Sequence, residues 1–437
     1  MTSSSSLAPT AHRFRAVRKC TKPPKVLIIS AAVASLVGIL LSGAALAAPD
    51  EALLGKAEGY PVCRLDDANI GPDRCLVGLF SHFDEAYPAR KVARGGPVHK
   101  LARAAVEPAI SYDMPSRRHS DVNGFLASRR VMGLLILQED RILVERYQYD
   151  RKPEQRFHSQ SMAKTVVAML IGIALQEGKI RSIDDLADEY VPALAGSPYG
   201  KTSLRHLLTM SSGVKYLENY EPGDDNAILT ARTYKQQSAG GADTLAPFAT
   251  RAREVPAGTR FYYASSETVT LALALRAAVG VPLADYLSEK IWKPMGAEAD
   301  ATWLIDAGGY EVGFVGLNCT LRDWGRLGLL LANGGAAQGK QLVPAAWVRA
   351  MTTPDAPHLR VGAATKFSGY GYQTWLIDAH APYFALLGLR GQGVFVDPVT
   401  KVVAVFISAH AAGDLESRTE QYRLFYGALR AIQSRNN

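Results

Sequence analysis

Two β-rich runs separated by a two-residue polar turn are the first clear element of the hydrophobic pattern. Residues 133–138 and 141–147, within "GLLILQEDRILVERY", are rich in branched apolar side chains, and residues 139–140 between them are both acidic. Runs of this length joined by a short polar turn are typical of an antiparallel hairpin. The sequence therefore predicts a β-hairpin over residues 133–147.

The next element is a helix with no polar face. A segment from Ser161 to Glu177 follows the hairpin, and its residues 166–175 carry only apolar side chains apart from Gly172. A helix that is apolar on every side lies in a protein interior, and ten such residues are too few to cross a bilayer. We therefore expect this helix at the centre of the fold.

The rest of the chain has helical periodicity first and β-rich runs near the C-terminus. Residues from about 182 to 300 are mainly helical with loops, and a last amphipathic helix runs from about Glu416 to Ile432. Between them, the β-rich runs 383–397 and 401–408 are separated by a turn at 398–400. Strands from both ends with helices between them predict an α/β (α+β) fold, with an antiparallel sheet flanked by helices plus an all-helical subdomain over about residues 182–300.

The N-terminal segment has the pattern of an export signal. Six basic residues and no acidic residue precede an uncharged run, residues 26–48, which ends in Ala45-Leu46-Ala47. A basic segment, an apolar core and small residues in this order are typical of a secretory signal, and 23 uncut residues would also span a bilayer. We therefore assign residues 1–47 as a signal peptide or signal anchor. The remainder is expected to be exported, periplasmic or extracellular, and to contact a membrane only if residues 26–48 are retained.

Composition and charge narrow the class of protein. With 437 residues, 48% hydrophobic and 21% charged, the chain can bury one large core or two. The net charge of +8 falls to about +2 without the six N-terminal basic residues, and no basic stripe interleaved with aromatics follows, so nucleic acid is not a predicted partner. Residues 48–120, with scattered prolines, are assigned as a lead segment and residues 121–437 as the main domain.

The cysteines suggest one disulfide. Cys63 and Cys75 flank a short turn-rich segment of the exported part, where a bond between them would stabilise the fold by roughly 3 kcal/mol in the chain-entropy model. Two free thiols are the alternative. Cys319 is then left over and is expected to be a buried thiol. No H-E-x-x-H or close Cys/His grouping is found, so neither a metal nor a cofactor is predicted.

Candidate chemistry begins with Ser161 and Lys164, at the start of the apolar helix. A serine hydroxyl needs an adjacent base to act as a nucleophile, and a spacing of three residues puts both side chains on one face of a helix. Unpaired N–H groups at the helix start favour a developing oxyanion, and burial would lower the pKa of the lysine. A capping serine followed by a solvated lysine is the alternative for the same short pattern.

Two further stretches of sequence help to decide whether Ser161 is a nucleophile or a helix cap. "YYASS", residues 262–266, places Tyr263 and Ser265 before another apolar helix, and "LLGLRGQGVFVDP", residues 386–398, is glycine-rich and β-prone. S-x-x-K, Y-x-S and a variant of K-T-G in this order resemble the serine β-lactamase and penicillin-binding-protein-like superfamily, particularly the esterases and 6-aminohexanoate-dimer hydrolases of its class C branch. The resemblance covers about residues 125–435. It implies a β-lactamase/transpeptidase-like fold and a hydrolase that acts through an acyl-enzyme on a small ester or amide.

The resemblance also implies residue roles. Ser161 would be acylated, while Lys164 and Tyr263 would serve as acid and base, Tyr263 through a phenolate-like oxygen favoured by the nearby ammonium. The backbone N–H groups of Ser161 and Leu389 would form the oxyanion hole. Ser265 would contact Lys164 or the acyl group, with a plain helix cap as its alternative. Substrate contacts are likewise expected from Tyr220, Gly388 and Arg390.

Departures from the family pattern concern the substrate. Leu386-Leu387 stand where β-lactamases carry Lys-Thr, and leucine cannot hold a carboxylate. Arg390 could restore the positive charge, but its side chain lies on the same face of the strand as residues 386 and 388 only if no bulge interrupts the strand. In the loop over residues 215–226, Asp224 and Asp225 are expected to be solvated. We therefore expect a small neutral ester or amide as substrate. A D-alanyl-D-alanine peptidase or β-lactamase of the cell envelope is the alternative, and an inactive domain that binds peptide or cell-wall fragments is another.

Overall fold

The computed structural model describes residues 47–64 and 72–436, so the predicted signal segment lies outside the described residues apart from Ala47. Within these ranges the strands β1 to β16 are, in chain order, Ala89–Val92, Ala102–Arg103, Ser111–Met114, Arg117–Asp121, Val131–Gln138, Arg141–Tyr147, Phe157–His158, Ala301–Leu304, Leu317–Cys319, Ala336–Ala337, Lys340–Gln341, Gly369–Tyr370, Trp375–Leu376, Phe384–Gly388, Gln392–Asp397 and Val402–Ser408. The helices α1 to α12 in the same ranges are Asp73–Ser81, Phe83–Ala86, Val122–Ser128, Ala163–Gln176, Leu204–Leu208, Asp225–Tyr234, Ser265–Val279, Leu283–Leu287, Lys293–Met295, Leu321–Ala332, Ala345–Met351 and Leu415–Asn436.

The main sheet has eight strands in the order β12-β13-β14-β15-β16-β5-β6-β2. Its pairings are antiparallel except for β2 with β6. The C-terminal strand β16 pairs with β5, Val405 lying opposite Leu135, so segments far apart in the chain complete one sheet as predicted. The run 383–397 is a hairpin of its own rather than one strand, because a 3₁₀ turn, Leu389–Gly391, separates β14 from β15.

The two faces of this sheet carry different cores, as the period of two along each strand requires. Leu135 and Leu137 of β5 belong to the core that contains α4 and α10. Leu134 and Ile136 belong to the core on the opposite face, with α3 and α12. The fold is therefore the predicted sheet flanked by helices.

The apolar helix α4 lies at the centre of the larger core, as its sequence predicted. Every residue from 163 to 174 is buried. Gly172 leaves room for the ring of Trp347, since a Cβ at that glycine would lie 2.1 Å from a ring carbon. In the described part of the chain, no single helix is long and apolar enough to cross a membrane, although α7 and the segment 283–295, bent by 76°, pass that test together.

The lead segment is joined to the main domain near the predicted nucleophile. Its strand β1 forms one edge of a second sheet, ordered β1-β8-β9-β7. The strand at the other edge, β7, ends at His158, shortly before Ser161 in the chain. Phe83 stacks on His158 of β7 with ring centroids 3.8 Å apart. Cys63 and Cys75 form a disulfide, and Cys319 is a buried free thiol.

Candidate active site

Ser161 and Lys164 are in direct contact at the start of α4. A 3₁₀ turn, Gln160–Met162, contains Ser161 and leads directly into the α-helix, whose second residue is Lys164. The Lys164 Nζ atom donates to Ser161 Oγ at 2.9 Å and to the Phe314 carbonyl oxygen at 3.3 Å. Lys164 is only 1% exposed, which contradicts the alternative of a solvated lysine.

Burial changes the protonation of this lysine. It lowers the pKa of Lys164 to about 8, although the charge of Glu218 acts in the opposite direction. The ammonium is also attracted to the face of the Tyr263 ring, whose centroid lies 4.8 Å from Nζ. Because the pKa lies near neutrality, a neutral amine that can accept a proton from Ser161 becomes accessible.

Tyr263 completes the group, but its protonation differs from our expectation. The tyrosine is hydrogen-bonded to Ser161, yet burial and the charge of Glu218 raise the pKa of its hydroxyl well above the ordinary value. Desolvation therefore acts against the phenolate-like oxygen that we expect for Tyr263, and it is the largest influence on this pKa. A raised pKa favours the neutral phenol, which can donate a proton.

An aromatic wall holds the Tyr263 ring in place. Tyr263 stacks on Trp375 with centroids 5.4 Å apart and meets Tyr370 edge-on at 6.3 Å. Phe261 contacts both Tyr370 and Trp375. The phenol is thereby fixed by rings from two segments more than a hundred residues apart.

Glu218 is a site residue to which the sequence analysis assigned no role. Its Oε2 atom accepts the Ser265 N–H at 2.7 Å, and its Oε1 atom accepts the Ser265 hydroxyl at 2.8 Å and the Tyr220 hydroxyl at 3.3 Å. Burial raises the pKa of this carboxyl, while the charge of Lys164 opposes that shift. Ser265 thus binds Glu218, in place of the expected contact with Lys164 or a helix cap. A glutamate between two tyrosines was visible in the sequence, but its burial was not.

The two aspartates of the same loop are buried, so the prediction that they are solvated is wrong. Asp224 caps α6 by accepting the Ala227 N–H at 2.6 Å. Asp225 accepts the Leu217 N–H at 2.9 Å and forms an ion pair with Arg251. Their hydrogen bonds fix the loop that carries Glu218.

Gly388 brings β14 against the turn that holds the serine. A Cβ at this position would lie 2.7 Å from the Ser159 carbonyl oxygen and 2.8 Å from the Gln160 Cβ. Strand β13 covers β14 only as far as Ala385, so the strand edge next to Gly388 faces the cavity. The glycine is needed for this approach of two backbones, and Leu389, the expected oxyanion donor, follows it at the cavity wall.

Arg390 does not continue the alternation of β14. It adopts a left-handed conformation with φ 59° inside the turn after Gly388. The strand is therefore interrupted before Arg390, and Arg390 does not share the strand face of Leu386 and Gly388. Its Nη1 atom donates to the His410 carbonyl oxygen at 3.0 Å.

His410, which the sequence analysis did not single out, is buried beside the turn, and burial lowers its pKa to about 3. Its Nε2 atom has no hydrogen-bond partner among the described residues.

One cavity of about 810 Å³ collects these groups. Nearly all of the predicted site residues line it, and Lys164 and Ser265 lie directly behind the wall. Among the residues that the structure describes, no three His, Cys, Asp or Glu side chains are grouped as a metal site would require. The cavity wall includes Ser161, Glu218, Tyr220, Tyr263, Leu389 and Arg390.

Comparison with known proteins finds one family and several relatives. Residues 120–427 match the model of the Beta-lactamase family. A 6-aminohexanoate-dimer hydrolase from Paenarthrobacter ureafaciens is 27% identical over 362 residues, which are 81% of this chain and 90% of that protein. The resemblance drawn from the sequence is therefore confirmed.

Solved structures share the fold. A candidate 6-aminohexanoate-dimer hydrolase from Bacillus anthracis is similar with a TM-score of 0.74 at 23% identity, over 83% of this chain and 95% of that chain. A penicillin binding protein from Bacillus halodurans is similar with a TM-score of 0.54 at 18% identity, over 68% of this chain and 97% of that chain. The predicted β-lactamase/transpeptidase-like fold is thus confirmed.

Proposed function

The chain belongs to the beta-lactamase family and is a serine hydrolase with amide or ester substrates, and on that basis we propose that Ser161 is its nucleophile and that it acts through an acyl-enzyme. The observation that carries the proposal is the contact of Lys164 Nζ with Ser161 Oγ at 2.9 Å, with Tyr263 hydrogen-bonded to the same serine. A nucleophile bonded to a base whose pKa is about 8 is the arrangement that acyl transfer at neutral pH needs.

In the acylation step, Ser161 Oγ attacks the substrate carbonyl carbon while its proton moves to the neutral Lys164 amine. The carbonyl oxygen becomes an oxyanion, which the N–H groups of Ser161 and Leu389 would stabilise. Each such donor is worth roughly 3 kcal/mol in the transition state. Collapse of the tetrahedral intermediate then breaks the bond to the leaving amine or alcohol.

Tyr263 supplies the proton that the leaving group requires. As a neutral phenol it donates its proton to the departing nitrogen or oxygen and regains one from the Lys164 ammonium. In deacylation a water molecule gives a proton to Lys164, attacks the acyl carbon and displaces Ser161, to which the proton returns. A negative charge on Glu218 raises the pKa of Lys164, which favours the charged lysine of that intermediate state.

The substrate we propose is a small amide or ester without a required carboxylate at the β14 edge. Leu386 is fully buried in the core and Leu387 lines the cavity, so neither provides the positive charge that the matching family position carries. The relative from Paenarthrobacter ureafaciens is named for hydrolysis of a 6-aminohexanoate dimer, which supports an amide as the scissile bond.

We also propose that the mature protein is exported. The N-terminal pattern of basic, apolar and small residues supports export. The disulfide between Cys63 and Cys75 supports it independently, because such bonds persist in oxidising compartments.

Turnover by the purified protein and its Ser161→Ala variant tests the function. We expect hydrolysis of short p-nitrophenyl esters to fall by at least about 10³-fold in the variant. A chromogenic cephalosporin and a D-Ala-D-Ala peptide, offered in parallel, should be turned over much more slowly than the esters. Ser434→Ala, at an exposed serine of α12, is the matched control. A fluorophosphonate that leaves no adduct on the unmodified protein by intact mass would contradict the proposal.

A further inference from the structure

One large apolar side chain, Leu415, stands exposed at the catalytic cavity. At 77% exposure it is the most exposed large apolar residue of the described chain. Leu415 lines the cavity together with Trp375 and Leu387. A single exposed apolar side chain needs no explanation, but one that shares a cavity wall with two further apolar side chains indicates an apolar ligand.

The apolar surface continues inward from the mouth. Trp375 lies opposite Ala385 in the β13–β14 pair, so Trp375 and Leu387 are diagonal neighbours on one face of the sheet. Both side chains are half-buried and line the cavity. An apolar wall therefore leads from β14 toward solvent.

This wall adjoins the position of the acyl group. Leu387 is separated only by Gly388 from Leu389, whose N–H would receive the carbonyl oxygen of the acyl group. The polar part of the cavity, Glu218 and Tyr220, lies beside Tyr263, which would protonate the leaving group. An acyl chain thus begins next to the apolar wall, and a leaving group next to the polar one.

We propose that Leu387, Leu415 and Trp375 form an apolar subsite that binds the acyl chain of the substrate and selects aliphatic chains of medium length. The proposal rests on the function proposed above and names the substrate class of the same site. Each methylene that the subsite removes from water favours binding in proportion to the area covered.

A carboxylate at the end of the acyl chain is the competing ligand, because Arg418 also lines the cavity. The Arg418 donors are already engaged: Nη2 donates to the Gly388 carbonyl oxygen at 2.6 Å, and Nη1 donates to the Gln421 side-chain oxygen at 2.8 Å. Its guanidinium therefore holds the strand end together, and the apolar chain is the better fit.

Selectivity for chain length is the test. For the purified full chain we compare kcat/KM for p-nitrophenyl acetate, butyrate, hexanoate and octanoate, and we expect a rise of roughly twofold to fourfold per methylene before a plateau. A second series of acetate esters with lengthening alcohols should show a smaller rise. The monoester of adipate tests the carboxylate, and its preference over hexanoate would overturn the proposal.

Variants at the cavity mouth locate the effect. Leu415→Ser should lower the ratio of octanoate to acetate kcat/KM by roughly fivefold. Val399→Ser, at a residue 69% exposed on the turn after β15, should leave that ratio unchanged. A flat chain-length profile in a protein whose acetate turnover depends on Ser161 would refute the subsite alone. Loss of that dependence would instead refute the proposed function, and the subsite with it.

Discussion

Replacing Gly388 by alanine tests whether the approach of β14 to the serine turn sets the catalytic geometry. Gly388 has ordinary extended dihedrals, φ −130° and ψ 159°, so the change costs nothing in backbone strain. The added methyl would lie 2.7 Å from the Ser159 carbonyl oxygen, and ordinary contact begins near 3.4 Å. The strand and the turn must therefore separate by about 0.7 Å, which carries Leu389 away from Ser161.

The size of the effect follows from that displacement. Overpacking of this kind costs typically 1–3 kcal/mol of stability, about 2 kcal/mol here. A misplacement approaching 1 Å in the oxyanion hole lowers the rate by about 10²-fold. We expect kcat for p-nitrophenyl acetate to fall by that factor with little change in KM, because the donor acts mainly in the transition state.

Steady-state kinetics, the rate of fluorophosphonate labelling and a thermal melt measure these quantities. Gly95→Ala is the matched control, because its methyl would meet only the flexible Lys293 side chain, at 3.2 Å. A Gly388→Ala protein whose kcat is within threefold of the unmodified protein would show that the geometric reasoning is wrong.

The remaining predictions concern protonation and the lead segment. Because Lys164 must be neutral to accept the serine proton, kcat/KM should rise with pH up to about 8 and then level off; a profile flat from pH 6 to 9 would contradict this role. In Glu218→Gln the lost negative charge lowers the pKa of Lys164 further, so the rise of kcat/KM with pH should occur at lower pH. A rise at the same or a higher pH would contradict the effect of the Glu218 charge on Lys164. Replacing Cys63 and Cys75 by serine should lower the free energy of unfolding by roughly 3 kcal/mol in a denaturant titration, whereas equal stability of both proteins without reductant would rule that out.

Much of the fold could be predicted because its signals are local. The β5–β6 hairpin has its two strands and its turn within seventeen residues of sequence, and α4 has an apolar run that only a buried helix explains. The second sheet was not predicted, because its strands are two to four residues long and come from four separate segments. Short strands carry too few residues to show a period of two.

Partners of individual side chains were harder to predict than elements. The sequence left the hydrogen-bond partner of Ser265 open, and the actual partner, Glu218, lies 47 residues away. The turn after Gly388 was also missed, because the β-prone run 383–397 contains glycines but no proline to mark a break. Such contacts depend on which segments the whole fold brings together.

The sequence alone determined the kinds of chemical group in this protein: a hydroxyl, an amine and a phenol in the order of one family, beside apolar segments that form its core. Only the tertiary structure decided their protonation and surroundings. A pKa depends on desolvation and on charges within a few ångströms, and those neighbours come from distant parts of the chain. That is why Lys164 could be named from four residues, whereas the neutral phenol of Tyr263 and the buried Glu218 required the fold.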